Sequence, residues 1–231
     1  MAAPLLFPAT SRHTATVIFL HGLGDSGYGW AAAVENWRRR QRLDEVKFIL
    51  PHAPSIPITC NGGMKMPGWY DIVSIDGTVE SLRRNEDREG LLRSQRYVHS
   101  LIQQELDAGI PAERIVLGGF SQGAALSLLA GLTAPVRLGG VVALSSYLPL
   151  SAQFSELLPR PELNRETPVF MAHGDVDVVV PMPLGKVSYE ALKAMGYKAT
   201  FKVYEGMGHS ACPEELDDVE AFLRERLPAR N

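Results

Sequence analysis

Ser121 stands in Gly119-Phe120-Ser121-Gln122-Gly123, a Gly-x-Ser-x-Gly pattern whose flanks suit nucleophilic chemistry. The apolar run Arg114-Ile115-Val116-Leu117-Gly118 precedes it, and Ala124-Ala125-Leu126-Ser127-Leu128-Leu129-Ala130 continues as a helical stretch. A serine on a sharp strand-to-helix turn is held in a strained backbone conformation. Strand and helix approach so closely there that only glycine fits two residues to either side. The helix N-terminus then offers unpaired N–H groups and a positive dipole to negative charge developing beside the hydroxyl. The bland alternative is a helix N-cap serine in a glycine-rich turn, and the flanking strand and helix argue against it.

A serine hydroxyl needs a general base to act as a nucleophile near neutral pH. Two histidines follow Ser121 in the chain, His173 and His209. His209 lies in Tyr204-Glu205-Gly206-Met207-Gly208-His209-Ser210, where the glycines allow a loop that carries the imidazole over Ser121. Capping of the last helix is its ordinary structural role. The orienting acid belongs just past a strand end, in His173-Gly174-Asp175-Val176-Asp177-Val178-Val179-Val180-Pro181. Asp177 is chosen because His-Gly-x-x-Asp-x-x-Val-Pro matches the acid loop of α/β-hydrolases, which supply serine, acid and histidine in this chain order. Asp175 is the alternative; with Asp177 as the acid, Asp175 becomes a turn residue bonding local backbone. The chemistry expected is acyl transfer through an acyl-serine, rising with pH as the imidazole loses its proton.

His21-Gly22-Leu23-Gly24-Asp25-Ser26-Gly27 follows another apolar run and admits two readings. Gly22-x-Gly24-x-x-Gly27 is the fingerprint of a dinucleotide-binding protein. That site wants an acid at the end of the second strand, yet the chain there reads Ile49-Leu50-Pro51-His52-Ala53-Pro54, with Asp44 and Glu45 before the strand. In the hydrolase reading, the N–H groups of Leu23 and Gln122 form the oxyanion hole, and His21 packs beneath the loop.

These loops need a scaffold that brings strand ends together. Short apolar runs at 16–20, 46–50, 114–118, 140–144, 168–172 and 200–204 are continuous rather than alternating, as in strands covered on both faces. Helical patterns at 30–40, 87–108, 122–132, 185–195 and 214–226 separate them. The alternation predicts an α/β class fold, a doubly wound, mostly parallel sheet with helices on both faces. Sites in such sheets gather at the carboxyl ends of the strands. The 231 residues suit one domain spanning 1–231.

Composition excludes other classes. With 45% hydrophobic and 21% charged residues, the chain is neither disordered nor fibrous. A net charge of −3 argues against nucleic acid as a partner. Arg38-Arg39-Arg40 is read as a solvated helix face. Cys60 and Cys212 make no disulfide framework and are expected as small, semi-buried residues of a reducing compartment. Neither a signal peptide, a membrane span nor a lipid anchor is legible, so the cytoplasm is expected, with the nucleus also open. No metal or other cofactor is called for.

Five blocks together resemble the cytosolic acyl-protein thioesterases, the lysophospholipase I-like family. They are Phe19 to Gly27, Pro67-Gly68-Trp69-Tyr70-Asp71-Ile72, Arg114 to Gly123, Ala143-Leu144-Ser145-Ser146-Tyr147-Leu148-Pro149, and Tyr204 to Ser210. The similarity runs from about Thr16 to Leu227. The resemblance implies hydrolysis of S-palmitoyl thioesters on proteins, with long-chain acyl esters and lysophospholipids as further substrates. It implies only transient contact with a membrane surface, and a monomer or weak homodimer is expected. It puts Ser121, Asp177 and His209 on the family's triad and Leu23 and Gln122 on its oxyanion positions. It also makes 56–76 a lid and acyl-channel segment, with Ile58, Met64, Met66 and Trp69 as candidate lining. Two departures stand out: Ala2 and Ala3 replace an N-terminal cysteine that some relatives lipidate, and Tyr70 replaces the more usual phenylalanine. A carboxylesterase or lysophospholipase acting on small lipid esters is the alternative within the class.

Overall fold

The computed structural model describes residues 2–74, 78, 80 and 86–230. Its centre is a seven-stranded sheet in the order β1-β3-β2-β6-β7-β8-β9. These strands are β1 (Leu5–Phe7), β2 (Ala15–Leu20), β3 (Val46–Leu50), β6 (Ile115–Phe120), β7 (Gly140–Leu144), β8 (Val169–Gly174) and β9 (Ala199–Tyr204). All neighbours run parallel except β1, which pairs antiparallel with β3. β4 (Ser55–Ile58) and β5 (Met64–Pro67) form a separate antiparallel hairpin.

Period-two alternation explains why the strands read as unbroken apolar runs. Ile18 and Leu20 of β2 and Ile115 and Leu117 of β6 enter one core, whereas Val17, Phe19 and Val116 enter the other. The first core is covered by α2 (Arg88–Asp107), α3 (Gln122–Leu132) and α5 (Met182–Ala194). The second is covered by α1 (Ala31–Arg39) and α6 (Pro213–Arg226). α4 (Phe154–Leu157) is a single turn that buries Phe154. Helix α3 is buried at every position, so its sequence is apolar all round rather than striped.

Chain order reverses beside β2. From β2 the chain steps outward to β3, and it later returns to add β6 on the other side. A switch of this kind opens a crevice at the carboxyl ends of the two strands. The loops after β2 and β6 therefore face each other there.

Several expectations shift. α5 begins at Met182 rather than 185, because Pro183 is tolerated in a first turn, where its missing N–H has no intrahelical partner. The arginine run lies on an exposed face as expected, with Arg39 and Arg40 exposed, and it adds surface pairs: Arg38 donates to the Pro8 carbonyl at 3.0 Å, and Arg40 pairs with Asp217 and Glu220 at 2.5 and 2.6 Å. Cys60 is exposed rather than semi-buried, on the turn of 3-10 helix between β4 and β5; Cys212 is half-buried.

Candidate active site

Ser121 follows β6 directly with φ 53° and ψ −121°, in the positive-φ region that side chains rarely adopt. Its N–H donates to the Leu144 carbonyl at 2.8 Å, pinning the turn to β7. A Cβ on Gly119 would stand 2.5 Å from the Gly123 carbonyl carbon, and one on Gly123 would overlap the Leu20 and His21 carbonyls. The two glycines are there because backbone passes where side chains would be.

His209 reaches Ser121 from the loop after β9. Its Nε2 lies 2.9 Å from Ser121 Oγ and its Nδ1 lies 2.7 Å from Asp177 Oδ2. The pattern matches a neutral imidazole whose Nδ1–H donates to the carboxylate and whose Nε2 accepts from the hydroxyl. Phe120 packs against the imidazole with ring centroids 4.8 Å apart.

Asp177 is 5% exposed. Burial alone would raise its carboxyl pKa, but hydrogen bonds from His173, His209 and the Val180 amide outweigh that and hold it well below the ordinary carboxylate range. The Val179 and Val180 amides each donate to Oδ1 at 2.9 Å. His173 is fully buried, donates from Nε2 to the Val180 carbonyl at 2.7 Å, and lies 3.4 Å from Asp177 Oδ2.

Asp175 sits apart from this cluster. Its carboxylate accepts from the Gly206 amide at 2.7 Å, so it bonds backbone across the sheet edge rather than locally. It thereby joins the loop after β8 to the loop that bears His209.

The glycine-rich loop after β2 packs against the serine turn. A Cβ on Gly22 would stand 3.3 Å from Ser121 Cβ, and the Gly24 amide donates to the Pro67 carbonyl at 2.8 Å. His21 lies buried beneath it, with Nδ1 2.7 Å from the Gly22 carbonyl and Nε2 accepting from the Ala53 amide at 3.0 Å. Burial lowers its pKa, consistent with a neutral ring that supports the loop. Leu23 and Gln122 are both brought beside Ser121, and all three line one cavity.

That cavity, of about 230 Å³, is also lined by Gly22, Tyr70, Ile72, Tyr147, Val179, Val180 and Leu184. Ile58, Met64, Met66 and Trp69 lie elsewhere. Ile58 and Trp69 are fully buried, with the Trp69 indole donating to the His21 carbonyl at 2.8 Å. Met64 is 65% exposed on the β4–β5 hairpin, and Met66 Sδ accepts from Asn61 at 3.4 Å. The segment 56–76 thus contributes Tyr70 and Ile72 to the wall rather than its methionines; residues 75 and 76 lie outside the described residues. The chain's short, proline-bounded hairpin turns its side chains outward or into the core, which composition alone does not tell.

One functional role went unread in the sequence. The buried Gln122 side chain accepts from the Trp69 amide at 2.8 Å and donates to the Tyr70 carbonyl at 2.7 Å, clamping the cavity wall to the helix that begins beside Ser121. Tyr70 and Tyr147 join their hydroxyls at 3.0 Å inside the wall. Burial drives both phenols upward, Tyr147 to about 12, so neither ionises near neutral pH.

A family model described as phospholipase/carboxylesterase matches residues 2–227. The chain belongs to that family. Within it, the chain is 69% identical to acyl-protein thioesterase 1 of Neurospora crassa, over 97% of this chain and 92% of that one. It is 64% identical to acyl-protein thioesterase 1 of Gibberella zeae, over 99% and 97% of the two chains. Its structure resembles that of acyl-protein thioesterase 2 from Zea mays, with TM-score 0.85, 32% identity and coverage of 98% and 100%. The family's α/β-hydrolase fold is the one described above.

Proposed function

We propose that this chain is an acyl-protein thioesterase that hydrolyses S-palmitoyl and other long-chain acyl thioesters on proteins through Ser121, His209 and Asp177. The reading is carried by the hydrogen-bonded series from Ser121 Oγ through His209 to Asp177, at 2.9 and 2.7 Å. High identity to two fungal proteins named acyl-protein thioesterase 1 supports the substrate class.

In the first step Ser121 Oγ attacks the thioester carbonyl while His209 Nε2 takes the hydroxyl proton. Asp177 keeps the Nδ1–H tautomer in place and stabilises the imidazolium that forms. The Leu23 and Gln122 amides are assigned to the oxyanion of the tetrahedral intermediate, where a helix N-terminus adds favourable dipole. The C–S bond then breaks, His209 returns its proton to the departing sulfur, and an acyl-serine remains. Water, activated by the same imidazole, attacks that ester and releases the fatty acid with regeneration of Ser121. The apolar cavity favours the acyl tail at about 0.8 kcal/mol per methylene removed from water.

The same machinery serves small carboxylic esters, and the family's description as phospholipase/carboxylesterase favours that as the second reading. Specificity constants for an acyl-length series, measured on matched thioesters and oxygen esters, separate the two. Palmitoylated peptide exceeding every small ester supports the thioesterase. Rates that peak on short oxygen esters and neglect the peptide would instead assign a carboxylesterase. Fluorophosphonate labelling that persists in Ser121→Ala would remove the nucleophile from this account.

A further inference from the structure

A second cavity, of about 360 Å³, shares part of its wall with the acyl cavity. Asp25, Phe120 and His209 belong to the walls of both. The outer cavity is otherwise formed by α1 and the approach to it, through Trp30, Ala32 and Ala33, and by Ala211 and Leu216 around the start of α6. Its aromatic wall is continuous: Trp30 and Phe120 have ring centroids 5.7 Å apart, and Phe120 and His209 4.8 Å. Asp25 is its only carboxylate, it is exposed, and neither Lys nor Arg is among the lining residues.

We infer that this cavity is the leaving-group subsite, which receives the polypeptide flanking the acylated cysteine and favours a Lys or Arg close to it through Asp25. The inference rests on the catalytic reading above. In that reaction the imidazole must hand its proton to the departing sulfur, so the sulfur's own chain must leave past His209 rather than into the acyl cavity. The two cavities meet at His209 and Phe120, which puts the acyl tail in one and the thiol-bearing chain in the other. The apolar floor suits a peptide's aliphatic stems, and the single carboxylate at the junction selects charge. A fatty-acyl ester with a small alcohol has nothing to place there.

The test uses one octanoyl group on three thiols: N-acetylcysteamine, the cysteine of a lysine-flanked peptide, and that of a glutamate-flanked peptide. For the native protein, kcat/KM should favour the lysine peptide over the glutamate peptide about fivefold at low salt, the size of an exposed ion pair, and the ratio should shrink as salt is added. Asp25→Asn should bring that ratio near one, a comparison internal to the variant. Ala32→Trp, which fills the outer cavity alone, should lower both peptide rates about tenfold relative to the N-acetylcysteamine thioester, the order expected of a blocked contact. A charge preference that survives Asp25→Asn, or an Ala32→Trp effect equal on all three substrates, would overturn the subsite while leaving catalysis intact. Failure of the native protein to cleave any of the three would overturn the catalytic reading itself.

Discussion

His173 and Asp177 meet at the carboxylate oxygen that also receives His209: His173 Nε2 lies 3.4 Å from Oδ2, and His209 Nδ1 lies 2.7 Å from it. Two imidazoles and two backbone amides therefore surround one buried carboxylate, and the Val180 carbonyl that His173 holds closes the loop on itself. Orientation of His209 is thus decided by a rigid acid rather than a mobile one.

Asp177→Asn should lower kcat by up to ~10⁴-fold, because the amide stabilises the wrong tautomer of His209. Asp175→Asn keeps an oxygen acceptor for the Gly206 amide and should cost less than about tenfold. Steady-state kinetics on a p-nitrophenyl ester compare the two. Equal losses would return the assignment to an open choice between the acids.

Glu215 supplies a pH effect on stability. It is fully buried at the start of α6, neither carboxylate oxygen has a hydrogen-bond partner among the described residues, and burial with Asp218 nearby raises its pKa to about 8. The folded state therefore binds a proton that the unfolded chain releases near the ordinary glutamate value. Stability is full below about pH 4.3 and falls as pH rises toward 8, by about 3 kcal/mol between pH 5 and pH 8. The urea midpoint of the native chain should fall relative to that of Glu215→Gln as pH rises across that range, the difference isolating Glu215 from buried histidines such as His21 and His99. A constant difference between the native and Glu215→Gln profiles would show that the carboxyl does not hold its proton.

Gln122→Met removes both side-chain bonds to the 69–70 segment while keeping the main-chain amide assigned to the oxyanion. Two buried hydrogen bonds make a loss of about 2–3 kcal/mol in stability the expected outcome. Fluorophosphonate labelling should persist, whereas discrimination between long and short acyl chains should weaken as the wall carrying Tyr70 and Ile72 loosens. Unchanged chain-length dependence would mean the clamp does not shape the cavity.

The Tyr70–Tyr147 pair places a polar spot in an apolar wall. Tyr70→Phe alone strands the other hydroxyl and should give little gain, but Tyr70→Phe with Tyr147→Phe should raise the ratio of long-chain to short-chain kcat/KM by about threefold to tenfold, the worth of one desolvated hydroxyl. Additive single effects in the double-mutant cycle would rule out the coupling.

The hydrogen-bonded series Ser121, His209 and Asp177 is readable because each member has a local signature. Ser121 needs glycines on both sides for steric reasons, and the acid and base each follow an apolar run that the sheet must bury. Strands β2, β3, β6, β7, β8 and β9 were legible for that same reason, as was their α/β order. β1, three residues long, and the β4–β5 hairpin, which contains Pro57 and Pro67, lack the run length and composition that mark a strand. The partners of Arg40 and Asp175, Glu220 and Gly206, are not legible locally because they lie 180 and 31 residues away.

The order of residues along the chain determined which side chains are candidates for chemistry and that they stand at strand ends, since turn sterics and hydrophobic periodicity act over a few residues. Cavity shape was decided elsewhere. Leu23, Ile72, Tyr147, and Val179 with Leu184 come from four separate stretches, and each is an unremarkable apolar or aromatic residue in its own context. Only packing of the sheet's carboxyl edge against the clamped 69–72 segment makes them neighbours, because a cavity is the space several distant elements leave between them.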